Sequence, residues 1–157
     1  MKILWIVVFA LLMAAPGGLA GDMKPITPTE RDKCPVCGMF VHKYPDFVAE
    51  ILFQDGTYAM FDGVKDMLKY YFHIEKYNPS KKKADIGALY VTDYYSLNLI
   101  DAFKACYVVG SDIYGPMGKE LIPFEKEEDA REFMVDHSGK ALYKFDEITH
   151  DILKSLD

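Results

Sequence analysis

The sequence is short of positive charge and of cysteine: 18 lysine and arginine residues face 24 aspartate and glutamate residues, and only Cys34, Cys37 and Cys106 carry thiols. A formal net charge of −6 without a basic patch argues against nucleic acid or an anionic membrane as a partner. Long apolar runs are scarce as well. The one at the N-terminus, 3–15, is closed by Pro16 and two glycines and is shorter than the roughly 20 residues that span a bilayer. No cysteine follows it closely, so no lipid anchor on a cysteine is expected.

What remains of the N-terminus is Lys2, a short apolar stretch, and the small-residue sequence Gly17-Gly18-Leu19-Ala20. That layout predicts a secretory signal peptide over 1–20, cleaved after Ala20, and hence a periplasmic protein. Because 1–20 carries only Lys2, its removal takes the formal charge from −6 to −7. Export would place the thiols in an oxidising compartment. Three is an odd count there, leaving one bridge with a free thiol, or metal binding.

Residues 21–33, with two prolines and mixed charge, read as a flexible leader. Beyond it, Phe47, Ala49, Ile51 and Phe53 alternate, and Asp55-Gly56 supplies a tight turn before 57–61, which predicts a strand pair. Val64, Met67, Leu68, Tyr71 and Phe72 recur at helical spacing behind Asp62, a suitable N-cap. After the loop 78–83, 86–94 reads as a strand.

The second half repeats the order. It has a strand at 105–109, a Gly/Pro loop at 110–118, a strand at 120–124, a helix with acidic residues in its first turn, and a closing strand at 141–145 after Gly139. Ala88-Leu89-Tyr90 and Ala141-Leu142-Tyr143 occupy matching places. The prediction is an α+β fold of two similar strand-strand-helix-strand units, 34–100 and 101–157, each too small to bury its own faces and so packed together.

The densest chemistry lies in Cys34-Pro35-Val36-Cys37-Gly38-Met39. A Cys-x-x-Cys by itself fits a redox dithiol, half a zinc site or a structural disulfide. Met39 adds a thioether two residues from the Cys37 thiol across a flexible glycine, and soft sulfur donors select copper(I). Met117, in Tyr114-Gly115-Pro116-Met117-Gly118, sits among small loop residues rather than in an apolar stripe and is a candidate third donor. Cys34 is either a further ligand or the partner of Cys37 in a disulfide that abolishes binding, because only thiolate binds metal. Cys106, in an apolar strand, reads as a buried inert thiol; His42 is near enough in sequence to reach the Cys34–Met39 loop but reads as an exposed histidine, and His73, His137 and His150 lack ligand-like spacing.

In Cys37-Gly38-Met39, the strand 106–111, Gly115-Pro116-Met117-Gly118, Pro123-Phe124 and the close at 139–148, the chain resembles the NosL family of copper accessory proteins. The resemblance implies two ββαβ halves in a fold related to organomercurial lyase. It also implies copper(I) held by Cys37, Met39 and Met117, and nitrous oxide reductase or its membrane assembly transporter complex as recipient. It implies a metallochaperone and no enzyme. The rival is a thiol-disulfide oxidoreductase using Cys34 and Cys37, which requires a depressed thiol pKa. Organomercurial cleavage rests on fold alone, and a closed zinc module wants a second Cys/His pair that the sequence lacks.

Overall fold

The alternating apolar residues around Ile51 form the middle of a sheet in the computed structural model, which describes residues 23–157. The expected signal peptide over 1–20 lies outside the described residues. Strand β1 (Ala49–Phe53) pairs antiparallel with β2 (Tyr58–Phe61) on one side and with β3 (Ile86–Thr92) on the other. The β1–β2 turn closes through the Phe53 N–H donating to Thr57 O (2.8 Å) and the Asp55 carboxylate accepting from the Thr57 N–H (3.1 Å). A short edge strand, β4 (Leu99–Asp101), joins β3 to complete the order β2-β1-β3-β4.

Helix α1 (Val64–Phe72) follows β2 and buries Val64, Met67, Leu68 and Tyr70 against β1, β2 and a strand of the second half. The helical path breaks at His73 and resumes briefly as α2 (Ile74–Tyr77).

The second sheet comprises β5 (Cys106–Gly115), β6 (Gly118–Phe124) and β7 (Ala141–Lys144) in the order β6-β5-β7, with α3 (Glu127–Asp136) between β6 and β7. Both halves thus run strand, strand, helix, strand, with the first strand central in each sheet, and the class is α+β. The segment 110–118, expected to be a loop, is mostly strand: β5 continues to Gly115 and only Pro116 and Met117 separate it from β6. The register shifts between Val109 and Tyr114, where Gly110 takes φ 79°. Glycine there marks a bulge within the ladder and not the end of it. A last helix, α4 (His150–Lys154), is capped by the Thr149 hydroxyl.

Burial explains why the two halves pack together. Along β5, Tyr107 and Val109 face the large core shared with α1 and the first sheet, while Cys106 and Val108 pack with Ile122, Phe124, Ala130 and Phe133 under α3. The second sheet is therefore covered on both faces. So is β1, where Glu50 and Leu52 are buried along with the alternating Ala49, Ile51 and Phe53.

The cover comes from the leader, which was expected to be flexible. The Ile26 N–H donates to both oxygens of the Glu50 carboxylate (3.1 Å each), the Tyr90 hydroxyl donates to Met23 O, and the Met23 thioether lies over Gly87. Burial raises the Glu50 carboxyl to about 7, even though the Ile26 N–H acts against that rise. Among the described residues no helix is long and apolar enough to cross a membrane.

Candidate metal site

The loop from Cys34 to Met39 is closed on itself. The Cys34 N–H donates to Met39 O (2.9 Å), the Gly38 N–H donates to Cys34 O (2.8 Å), and Lys33 bridges to Phe40 just outside it. Such a turn needs one residue in the left-handed region, and Gly38 supplies it at φ 81°. The result sets Cys34 and Cys37 side by side, the first fully buried and the second half-buried. All three cysteines of the chain are free thiols.

Opposite the loop stands the start of α1. Asp62, expected as the N-cap, has another partner: its Oδ1 accepts from the Cys37 thiol at 3.2 Å. Gly63 occupies the N-cap position with no side-chain cap bond. One turn on, Asp66 Oδ2 accepts from the Cys34 thiol at 3.3 Å. The cap is supplied from the other half, where Glu120 on β6 accepts from the Lys65 N–H (2.6 Å) through Oε1. Gly63 is required by this arrangement, because a Cβ there would overlap the Glu120 carboxylate.

One donor atom from each of Cys34, Cys37, Asp62 and Asp66 lies within 4.8 Å of the others. Neither aspartate was expected as a ligand: in the sequence Asp62 reads only as the N-cap of α1. Asp62 is 1% exposed, and its Oδ2 finds no hydrogen-bond partner among the described residues.

Met39 is half-buried at the exit of the cysteine loop, its carbonyl engaged by the Cys34 N–H. Met117 is 45% exposed at the tip of the β5–β6 hairpin. That tip is fastened to the first turn of α1: Lys65 Nζ, itself buried, donates to Met117 O (2.8 Å) and to Leu156 O (3.2 Å). The hairpin flank closes in as well, with Gly115 against the Glu120 side chain that also covers Gly63. Lys65 precedes Asp66 directly, so one helical turn carries both the carboxylates facing the thiols and the anchor of the Met117 turn.

Burial pushes the Cys37 thiol up to about 12, with the Asp62 carboxylate adding to the rise, while a backbone N–H at Met39 acts against it. Cys34 is raised still further, again chiefly by burial and then by Asp62 and Asp66, against the backbone N–H groups of Cys37 and Val36. A disulfide oxidoreductase needs the opposite, a depressed thiol at a helix N-terminus beside cationic groups. Here the neighbours are anionic and the pair lies in a loop. A metal is the remaining way to hold these thiols as thiolates, since it competes directly with the protons. Two adjacent thiols suit a soft, thiophilic metal ion.

Other candidates lie elsewhere. Cys106 is buried beneath α3 on the far face of the second sheet, its sulfur accepting from Lys144 Nζ at 2.8 Å. His42 sits edge-on to Phe40 with ring centroids 5.9 Å apart. His137 pairs with Asp112 at 2.9 Å and stacks on Phe133. Asp93 ties a turn, accepting from the Ser96 and Glu125 N–H groups at 2.8 and 2.7 Å.

Comparison with known proteins shows what the chain is similar to. The NosL family model matches residues 25–153. The copper-binding lipoprotein NosL of Stutzerimonas stutzeri is 30% identical over 141 residues, which cover 85% of this chain and 70% of that protein. The crystal structure of the copper chaperone NosL from Shewanella denitrificans superposes with a TM-score of 0.69 at 26% identity, covering 82% of this chain and 97% of that one.

Proposed function

The chain belongs to the NosL family, and from that premise we propose that it is an exported copper carrier that holds copper(I) between the Cys34–Met39 loop and the Met117 turn. Cys37 provides the thiolate, Met39 and Met117 provide thioethers, and Cys34 stands beside Cys37 as an additional sulfur. The ion is cargo. It passes in the periplasm to nitrous oxide reductase, directly or through the membrane transporter complex that assists its assembly, without catalytic turnover.

The observation that carries this reading is the convergence of two segments on one turn of α1: both thiols of the Cys34–Met39 loop face Asp62 and Asp66, and the Met117 turn is tied to Lys65 between them. Its donors are soft, and a monovalent ion bound by one thiolate and two neutral thioethers carries no net charge, which suits a half-buried place. A three-coordinate ion also leaves room for an acceptor ligand to attach before a donor ligand leaves.

The test is an anaerobic titration of the reduced protein with copper(I) against a chromophoric chelator, beside Cys37→Ser, Met39→Leu and Met117→Leu. One equivalent should bind, and each variant should weaken binding at least tenfold, about 1.4 kcal/mol. Wild-type binding retained in the Met39→Leu, Met117→Leu double variant would show that the sulfur set is wrong.

A further inference from the structure

We propose that Cys106 and Lys144 form an oxidative modification site, at which a hydroperoxide converts the pair into a covalent Sγ–Nζ cross-link. The site lies on the far face of the second sheet, under α3, and does not depend on the copper reading.

Placement comes first. Cys106 on β5 and Lys144 on β7 are directly opposed in the antiparallel register. Side chains of such a pair leave the same face with Cβ atoms about 5 Å apart, so a lysine must fold back to meet its partner. It does so here, with Lys144 Nζ 2.8 Å from Cys106 Sγ. A second partner holds the ammonium in place: Glu127 Oε2 at 3.2 Å, on the first residue of α3. Glu127 is in turn fixed by Arg131 at 2.6 Å. A sulfur, an amine nitrogen and a proton acceptor therefore stand in contact, each supplied by a different element.

The surroundings select the chemistry. Cys106 is 1% exposed and packs with Val108, Ile122, Phe124 and Phe133, whereas Cys34 lies in the other core with Cys37 packed against it. A disulfide within the chain is thus out of reach for Cys106, and burial keeps bulky thiols away. The way in runs along Lys144, whose side chain is 47% exposed, and it suits an oxidant as small as hydrogen peroxide.

The reaction takes two steps. Cys106 Sγ attacks one peroxide oxygen, the O–O bond breaks, and the thiol becomes a sulfenic acid as water leaves. The hydrogen bond to that sulfur is the chief cause holding the Lys144 ammonium above the ordinary lysine range. Oxidation of the sulfur weakens that hold, and Glu127 takes a proton from Nζ. The neutral amine then attacks Sγ, and the S–O bond breaks as hydroxide leaves, which takes up the second nitrogen proton as water. One thiol, one ammonium and one peroxide thus give one S–N bond, two waters and a proton. Sulfenic acids condense in this way with backbone nitrogen; here a side-chain amine stands ready. The product staples β5 to β7 across 38 positions and withdraws the third thiol from disulfide exchange. A reducing thiol reopens it by attacking the sulfur and releasing the amine.

The test treats the folded, copper-free protein with stoichiometric hydrogen peroxide, digests it with trypsin without reduction, and reads the products by mass spectrometry. Peptides 105–119 and 141–154 should be joined, about 2 Da below their summed mass. Fragmentation should place the bond at Cys106 and Lys144, cleavage after Lys144 should be lost, and dithiothreitol should restore both peptides. Lys144→Arg, which keeps a cation beside Glu127, should yield no linked pair and several-fold more Cys106 sulfinic acid than the wild type. Should that variant not fold, the wild-type linkage decides, set against the same treatment in urea, where the yield should collapse. Unlinked peptides after oxidation of Cys106, a bond retaining an oxygen between sulfur and nitrogen, or equal linkage in urea would each overturn the proposal.

Discussion

Replacing Lys65 with methionine tests whether the Met117 turn is positioned from α1. The change keeps the apolar stem and length while removing the ammonium. Lys65 is 3% exposed at its side chain, so the lost partners are not simply replaced by water. Two carbonyl oxygens lose a charged donor, Met117 O at 2.8 Å and Leu156 O at 3.2 Å. Hydrogen bonds to charged groups contribute about 1.5–3 kcal/mol each, and relief of the buried ammonium's desolvation returns part of that sum. The expected net loss is about 2–3 kcal/mol, or roughly 6–12 °C in melting temperature for a chain of this size.

Copper(I) affinity should fall as well, by the fraction of molecules whose turn has left its place. If the anchor on Met117 O is worth about 1.4 kcal/mol, affinity drops about tenfold. The two effects separate in a double-mutant cycle: Lys65→Met should weaken copper(I) binding in the wild type and have no further effect in Met117→Leu. The assays are urea unfolding and the chelator competition. Lys65→Met that is destabilised yet binds copper(I) as the wild type does would refute the claim that this lysine positions the donor, and an unchanged urea midpoint would refute the energetics.

Two pH dependences follow from the buried groups. Burial raises the Cys37 thiol to about 12, so copper(I) must displace its proton throughout the working range. Apparent affinity should then rise about tenfold per pH unit between about 6 and 9 for one bound thiolate, and more steeply if Cys34 also ligates; a flat profile in the chelator competition would contradict this. Burial likewise raises Glu50 and Glu120 to about 7 each, the latter against the Lys65 and Leu121 N–H groups. A carboxyl whose pKa is raised on folding binds its proton more tightly in the native state, so deprotonation costs the native state more than the unfolded one. This contribution is therefore full below about 4.5 and is lost as pH rises to about 7, on the order of 2–3 kcal/mol per group. Urea midpoints across that range should fall with pH, with a shallower slope in Glu120→Gln; midpoints that climb would show that burial does not govern these groups.

The elements legible in the sequence are those whose signal is local. Asp55-Gly56 between apolar runs predicts the β1–β2 hairpin, and the spacing of Val64, Met67 and Leu68 predicts the buried stripe of α1. β4 escapes notice because its three residues have no period to show; it exists by pairing Tyr90, Val91 and Thr92. The 110–118 segment misleads because glycine and proline signal turns, yet Gly110 serves a bulge, and Gly115 and Gly118 face each other as the last pair of a ladder. The buried Glu50 is also invisible locally, since its cover is Ile26, 24 residues away in a leader whose composition suggests mobility.

The site divides along the same line. Its sulfur half is written in one hexapeptide, Cys34 to Met39, whereas its carboxylate half hides inside familiar helix-start chemistry. Asp62 before Gly63 reads as an N-cap and Asp66 as a first-turn acid complementing the helix dipole. Neither local role explains why both carboxylates are buried against thiols 25 and 32 residues away. What frees Asp62 from capping is Glu120, which supplies the cap from the second half, and what brings the Met117 turn to the same place is the Lys65 side chain. A single helical residue thus joins the halves twice, by its N–H and by its ammonium. The proposed thioether donor sits on a hairpin tip that the Gly115–Gly118 pair closes from within the second sheet and that the Lys65 ammonium fastens to the helix of the first half.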